Sequence, residues 1–204
     1  MSELLRLGSP PDAGAFLARV VRVDPAALVR LRRRDGDTVA LWTWLNVGVL
    51  AVRIVTGSGP ADAVVAASSL LGAVAPEVVL PVRRDTDWRG PLPGAGFRRL
   101  DEIPAEVVAR LAQAGERTFR EAAAGRSRSG ARAVTDAVLD HVALSVTGPE
   151  GETADVPQRA VQALAALAFL GPDPVAVDVT GTWLRLAGTY GAVHLRRGTA
   201  LGVL

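Results

Sequence analysis

Apolar and polar positions recur with different periods along this chain, and each period predicts its own kind of element. After Ser9-Pro10-Pro11, the residues Phe16, Leu17, Val20 and Val21 fall on one face of a helix, while Arg19 and Arg22 point away. Asp24-Pro25 ends that helix, because a residue before proline resists the α region. Leu28–Arg33 and Thr38–Leu45 then flank Arg34-Asp35-Gly36-Asp37, where Asp-Gly supplies the positive φ angles of a tight hairpin. A second turn at Asn46-Val47-Gly48 leads into Val49–Val55. Three antiparallel strands in a meander are expected.

Thr56-Gly57-Ser58-Gly59-Pro60 punctuates the chain. Ala61–Val74 reads as a helix, with Pro60 near its first turn and Pro76 past its end. Val78–Arg83 reads as a strand kept near an edge by Pro81, and Asp85–Gly96 as a surface loop or domain joint. In the second half, Pro104 opens a helix to about Ala124, with Val107, Val108, Leu111 and Phe119 near one stripe. Gly125–Gly130 breaks it, and Ala131–Asp140 reads as another helix. His141–Thr147 and Glu152–Val156 fit a hairpin around Gly148-Pro149-Glu150-Gly151. Pro157 starts a helix that Gly171-Pro172 stops. Pro174–Thr180 reads as a strand, Trp183, Leu186 and Tyr190 as one face of a further helix, and the last stretch as a strand. No internal repeat or heptad is visible. The fold class expected is α+β: an N-terminal antiparallel β-meander with packed helices, followed by a more helical α/β half. Residues 1–100 form an α+β sheet subdomain in this reading and 101–204 a mainly helical α/β subdomain, with one continuous domain as the alternative.

Composition narrows the chemistry. The chain of 204 residues is 49% hydrophobic and 22% charged, a globular balance. Its pI of 10.2 overstates its basicity, since the formal net charge is only +2. All 23 cations are arginine and there is no cysteine, so almost nothing titrates between the carboxylates and the guanidiniums. Residues 1–100 carry 13 arginines against 9 acids, and residues 101–204 carry 10 against 12. With no cysteine and two separated histidines, disulfides, thiolate nucleophiles and Cys-based metal sites are excluded. The opening MSELLRLGSPPD has too short an apolar part for a signal peptide, and no apolar run reaches membrane length, so a soluble cytoplasmic protein is expected.

The candidate sites are few, and each has a bland counterpart. Gly125-Arg126-Ser127-Arg128-Ser129-Gly130 precedes a helix start, where unpaired amides favour anions and Arg126, Arg128 and Arg132 would reinforce them; the alternative is a solvated connector. Arg30, Arg32 and Arg34 alternate on one strand beside Trp42 and Trp44 on the next, an arrangement that suits a polyanion, or else a solvated face over packed tryptophans. Gly57-Ser58-Gly59 sits where a dinucleotide turn would, but Asp62 occupies the third glycine position and no Walker lysine exists, so an ordinary β-to-α turn competes. Asp136 or Asp140 could orient His141, though no nucleophile accompanies them and a partly buried helix-end histidine fits as well. His194 offers nothing sharper. Trp88, on a proline-rich loop, suits pinning that loop or a partner surface.

The stretches Asp24-Pro25-Ala26-Ala27-Leu28-Val29-Arg30-Leu31-Arg32, Asp140-His141-Val142-Ala143, Val156-Pro157-Gln158-Arg159 and Trp183-Leu184-Arg185-Leu186-Ala187-Gly188-Thr189-Tyr190-Gly191 resemble an actinobacteria-specific signature-protein family. The resemblance spans nearly the whole chain. It implies a lineage-specific cytoplasmic role and transfers no catalytic residues. The leading functional reading is a non-enzymatic binding or protein-interaction protein without cofactor or metal. Its partners are a second copy in a homodimer or another protein, with no membrane. Nucleic-acid or phosphate-ligand binding through the arginine clusters is one alternative, which the small net charge opposes, and an enzyme of unrecognised class is another.

Overall fold

The computed structural model describes residues 3–123 and 135–197, which divide into two compact units, Met1–Leu92 and Pro93–Leu204. The first runs β1 (Leu4–Leu7), α1 (Pro10–Val23), β2 (Leu28–Arg33), β3 (Thr38–Leu45), β4 (Val49–Ser58), β5 (Asp62–Ala66), α2 (Ala67–Gly72) and β6 (Glu77–Val79). Prolines at the first positions start α1, and Asp24, extended at φ −146°, caps its end. The strands β5, β2, β3 and β4 pair antiparallel in that order, with Arg30 opposite Trp42 and Val64, and Leu41 opposite Arg53. Alternation then fixes two faces. Val29, Leu31, Val39, Leu41, Val55, Ala63 and Val65 are buried on the face that α1 covers with Ala13, Phe16, Leu17 and Val20. Arg30, Arg32, Trp42 and Trp44 share the other face.

β1 pairs with β6 on one side and with the end of β4 on the other. The second contact needs glycine. Gly57 lies at φ +141°, and a Cβ there would strike the carbonyl oxygen of Arg6.

The second unit runs β7 (Arg98–Ile103), α3 (Ala105–Ala123), a helix α4 described over residues 135–140, β8 (Val142–Thr147), β9 (Thr153–Pro157), α5 (Gln158–Ala166), β10 (Val175–Val179), β11 (Trp183–Gly188) and β12 (Gly191–Arg196). β10, β11 and β12 pair antiparallel as consecutive strands, β7 adds to the outer side of β10, and β8 with β9 forms a separate hairpin around Gly151 at φ +81°. The core gathers Val161, Leu164, Leu167 and Phe169 with Val175, Val177, Leu186 and Val193. α5 reaches α3 through two glutamines: Gln158 Nε2 donates to Leu111 O at 3.1 Å, and Gln162 Nε2 to Ala112 O at 2.7 Å.

The molecule is α+β with mostly antiparallel strands, and several elements differ from those expected. Residues 62–66 are a strand and not the start of a helix, because the β-branched pair Val64-Val65 buries both side chains against β2 while its backbone completes that edge. Trp183–Gly188 is a strand between turns, with Trp183, Leu184 and Leu186 buried; the helical spacing of Trp183, Leu186 and Tyr190 was coincidental. The second half is therefore less helical than its pattern implied. β1 and β7 have no counterpart in the pattern of apolar and polar positions. One further regularity was invisible in the residues: a strand, a helix and a three-strand antiparallel meander occur in that order twice, as β1-α1-β2-β3-β4 and as β9-α5-β10-β11-β12.

Candidate functional site

Arg30 and Arg32 leave β2 on the face opposite α1, and both meet Asp62 of β5. Arg30 donates from Nε to Oδ1 at 2.7 Å and from Nη2 to Oδ2 at 2.6 Å, while Arg32 Nε lies 3.7 Å from Oδ2. The hydrogen bonds to Asp62 hold the Arg30 guanidinium above its ordinary pKa, against the opposing effect of burial. Arg30 also sits 5.7 Å from the centre of the Trp88 ring, whose Nε1 donates to Gly90 O at 3.0 Å. Gly90, at φ +89°, lies against Trp44, where a Cβ would come within 3.3 Å of the indole. Trp88 thus pins its own loop onto this face. Arg34 stands apart in the turn after β2, its N–H bonded to Thr38 O.

The same loop closes the free edge of β5. Arg84 N donates to Val64 O at 2.7 Å, Val64 N donates to Asp85 Oδ1 at 2.8 Å, and Arg83 Nη2 donates to Asp62 O at 2.8 Å. Asp85 accepts a further bond from Arg83 Nε at 2.7 Å, and this bond holds its carboxyl below the usual carboxylate range. The arginines that the sequence set out as a polyanion face are therefore interleaved with Asp62 and Asp85, which cancel much of their charge.

In the second unit the structure brings together residues that the sequence reading passed over. Asp178, 2% exposed on β10, accepts from Arg99 Nε at 2.6 Å and from Arg185 Nε at 2.9 Å. The bond to Asp178 raises the pKa of Arg99. Arg185 stacks 4.3 Å from the Phe97 ring, and Phe97 and Trp183 both approach the buried His194 edge-on. A single acid inside Val175-Ala176-Val177-Asp178-Val179 was the available signal, since a charge in a buried strand calls for a partner. Three charges and an aromatic ring interlocked in this way make a structural tie more than a reactive centre.

The other candidates separate. Asp140 pairs with Arg159. His141 stands exposed at the end of α4, and its carbonyl accepts from Gln158 N at 2.8 Å. Gly57-Ser58-Gly59 precedes β5 and not a helix, so no phosphate turn forms there. Arg126, Arg128 and Arg132 lie outside the described residues. Among the described residues no group of three or more His, Asp or Glu is placed to hold a metal ion, and no helix is long and apolar enough to cross a membrane.

Residues 92–200 match the model of a domain of unknown function, DUF8185. The chain belongs to the DUF8185 family. Ahead of that match, residues 4–90 of this DUF8185 chain match a second domain of unknown function, DUF8010, and the two matches follow the two compact units closely. No curated protein matches it in sequence. Solved structures do match in fold. The DNA polymerase sliding clamp from Caulobacter crescentus aligns with a TM-score of 0.56 at 12% identity, over 99% of this chain and 67% of the clamp. The beta subunit of DNA polymerase from Streptococcus pyogenes aligns at 0.59 with 10% identity, over 97% of this chain and 65% of the subunit. The sliding clamp from Bartonella birtlesii, bound to griselimycin, aligns at 0.56 with 15% identity, over 98% and 65%. The DUF8185 chain spans about two thirds of the length of these proteins.

Proposed function

We propose that this chain is a non-catalytic binding and assembly protein that works through contacts with other polypeptides, a second copy of itself among them. The observation that carries the proposal is the sliding-clamp fold along almost all of its length, since the proteins sharing it are named as clamps and as a polymerase subunit. Edge chemistry supports self-association in particular. The edge of β5 is closed by Arg83–Asp85, and β7 carries charges and a bulge between Val177 and Asp178 of its partner strand. Among the described residues the outer edge of β6 pairs with no strand, and Val79 and Val82 beside it are 60% and 84% exposed.

A nucleic-acid role would need an excess of unpaired positive charge. Arg30, Arg83 and Arg99 are each bonded to a carboxylate, and the whole chain carries +2. Sedimentation equilibrium at tens of micromolar, roughly the regime of a weak dimer, should show association that Val79→Lys with Val82→Lys abolishes. A clean monomer in that range overturns self-association. Tight binding of a labelled DNA duplex at roughly 50 mM salt that weakens steeply as salt rises would favour the nucleic-acid reading instead.

A further inference from the structure

The two units are built on one scheme. In each, the motif of strand, helix and three-strand meander is joined by a shorter one: β5-α2-β6 follows β1-α1-β2-β3-β4, and β7-α3-α4-β8 precedes β9-α5-β10-β11-β12. The shorter motif's first strand joins the meander, β5 on β2 and β7 on β10. Its last strand joins the strand that opens the longer motif, β6 on β1 and β8 on β9. In the longer motif the strand after the helix has a neighbour on both sides; β2 lies between β5 and β3, and β10 between β7 and β11. β6 and β8 hold the same position after their helices, and among the described residues each pairs on one side only. The exposed positions of β8 include the polar Ser145 and Thr147, whereas β6 exposes Val79 at its end.

The free edge of β6 has a defined chemistry. Leu7 N–H donates to Pro76 O at 2.9 Å and Leu80 N–H to Glu3 O at 3.0 Å, with Val78 opposite Leu5 between them. Alternation therefore turns the N–H and C=O groups of Glu77 and Val79 outward. Pro81 ends the row of donors, because it has no N–H. On the solvent face Val79, 60% exposed, lies beside Leu4, 37% exposed, and Glu77 lies beside Arg6, its ion-pair partner at 2.9 Å. An apolar row thus runs next to a charge-balanced one.

A second copy of β6 matches this edge. Antiparallel pairing about a two-fold axis can use both donors in two registers. Centred on Val78, it sets each Glu77 against the other copy's Val79, a charge against an apolar side chain. Centred on Val79, it sets valine against valine with a Leu4 on either side, and the two apolar rows become one band of four. Each Val79 then exchanges both backbone bonds with its counterpart, each Glu77 N–H meets the other copy's Pro81 carbonyl, and no like charges face each other. We infer that the chain pairs with a second copy through β6, antiparallel and centred on Val79, to give a four-stranded β1-β6-β6-β1 sheet. The pairing rests on the self-association proposed above and specifies its symmetry and register.

The chain has no cysteine, so single-cysteine variants read the register. In the Val79-centred pairing the two copies of residue 79 lie about 5.5 Å apart at Cα, within disulfide reach. The two copies of residue 77 are four positions out of step, roughly 13 Å along the strand. Centring on Val78 would leave residue 79 two positions out of step, beyond that reach. Val79→Cys and Glu77→Cys, each shown to be folded by a cooperative melt, are equilibrated at roughly tens of micromolar in a glutathione redox buffer. Intact mass spectrometry then separates linked dimer from glutathione adduct. Val79→Cys should be recovered mainly as the disulfide dimer and Glu77→Cys mainly as the adduct, with at least about tenfold more dimer in the first, since pairing raises the effective thiol concentration toward millimolar. Sedimentation of the wild type separates the two readings. If it associates while Val79→Cys stays an adduct, or while both variants link alike, the β6 pairing is overturned and self-association runs through another surface. A monomeric wild type in that range overturns both.

Discussion

Arg30 grips Asp62 from the neighbouring strand side-on, through Nε at 2.7 Å and Nη2 at 2.6 Å, while Trp88 lies 5.7 Å away over the same group. The two side chains are 26% and 39% exposed, so solvent screens the attraction and the pair lies nearer a surface bridge than a buried one. Asp62→Asn should therefore cost only about 0.5–1 kcal/mol in urea unfolding. A double-mutant cycle with Arg30→Met should show positive coupling, and strict additivity would mean that the two groups merely sit together.

The Asp85 carboxylate gives a signed pH dependence. Arg83 lowers its pKa below the ordinary value of 3.8, so its contribution is present above that value and is lost as the pH falls through the lower, folded-state pKa. The melting-temperature gap between wild type and Asp85→Asn should be constant near neutrality and should shrink only in acid, below about pH 4. A gap that closes between pH 5 and 7 would assign the effect to another group.

Thr43 is fully buried on β3, and its Oγ1 makes no hydrogen bond among the described residues. Valine has nearly the same shape without the stranded hydroxyl and favours a strand. Thr43→Val should stabilise the chain by about 1 kcal/mol, read from the denaturation midpoint at unchanged slope. Destabilisation would reveal a partner for the hydroxyl.

Asp178 and its two arginines are not equivalent in burial. The acid is 3% exposed at its side chain, whereas Arg99 and Arg185 are 49% and 31% exposed. Removing the acid leaves guanidiniums that can turn toward water, so Asp178→Leu should be mild, about 1 kcal/mol. Removing both cations strands a carboxylate that cannot move. Arg99→Met with Arg185→Met should cost about 3–5 kcal/mol in the same measurement. The reverse ranking would mean that the carboxylate finds other donors.

Local signals carried the parts of this fold that rest on local physics. Asp35-Gly36 marked the first hairpin, and Gly36 adopts φ +72°; Pro10-Pro11 marked the start of α1, and Gly148–Gly151 the β8–β9 turn. Strands that owe their form to a neighbour were harder. Ala61–Val74 looked helical because alanine and valine serve either state, and only β2 alongside decides for residues 62–66. β7 lacks alternation because the register slips near Leu100. Of the candidate site, the arginines of β2 and the nearby tryptophans were legible as a shared face, but their acids were not. Asp62 is 32 residues from Arg30, and Asp178 is 79 from Arg99, separations over which no periodicity can point.

The bonds that Arg84 and Asp85 make to Val64 have a consequence for how the chain is made. Asp85 lies 21 residues after Val64, which it covers, so a nascent chain emerging from the ribosome carries a bare β5 until that stretch is released. The stretch also falls before Leu92, inside the unit it protects. A gene fragment ending at residue 92 takes its own shield with it, whereas one ending at residue 82 presents sticky backbone to every other copy in the cell.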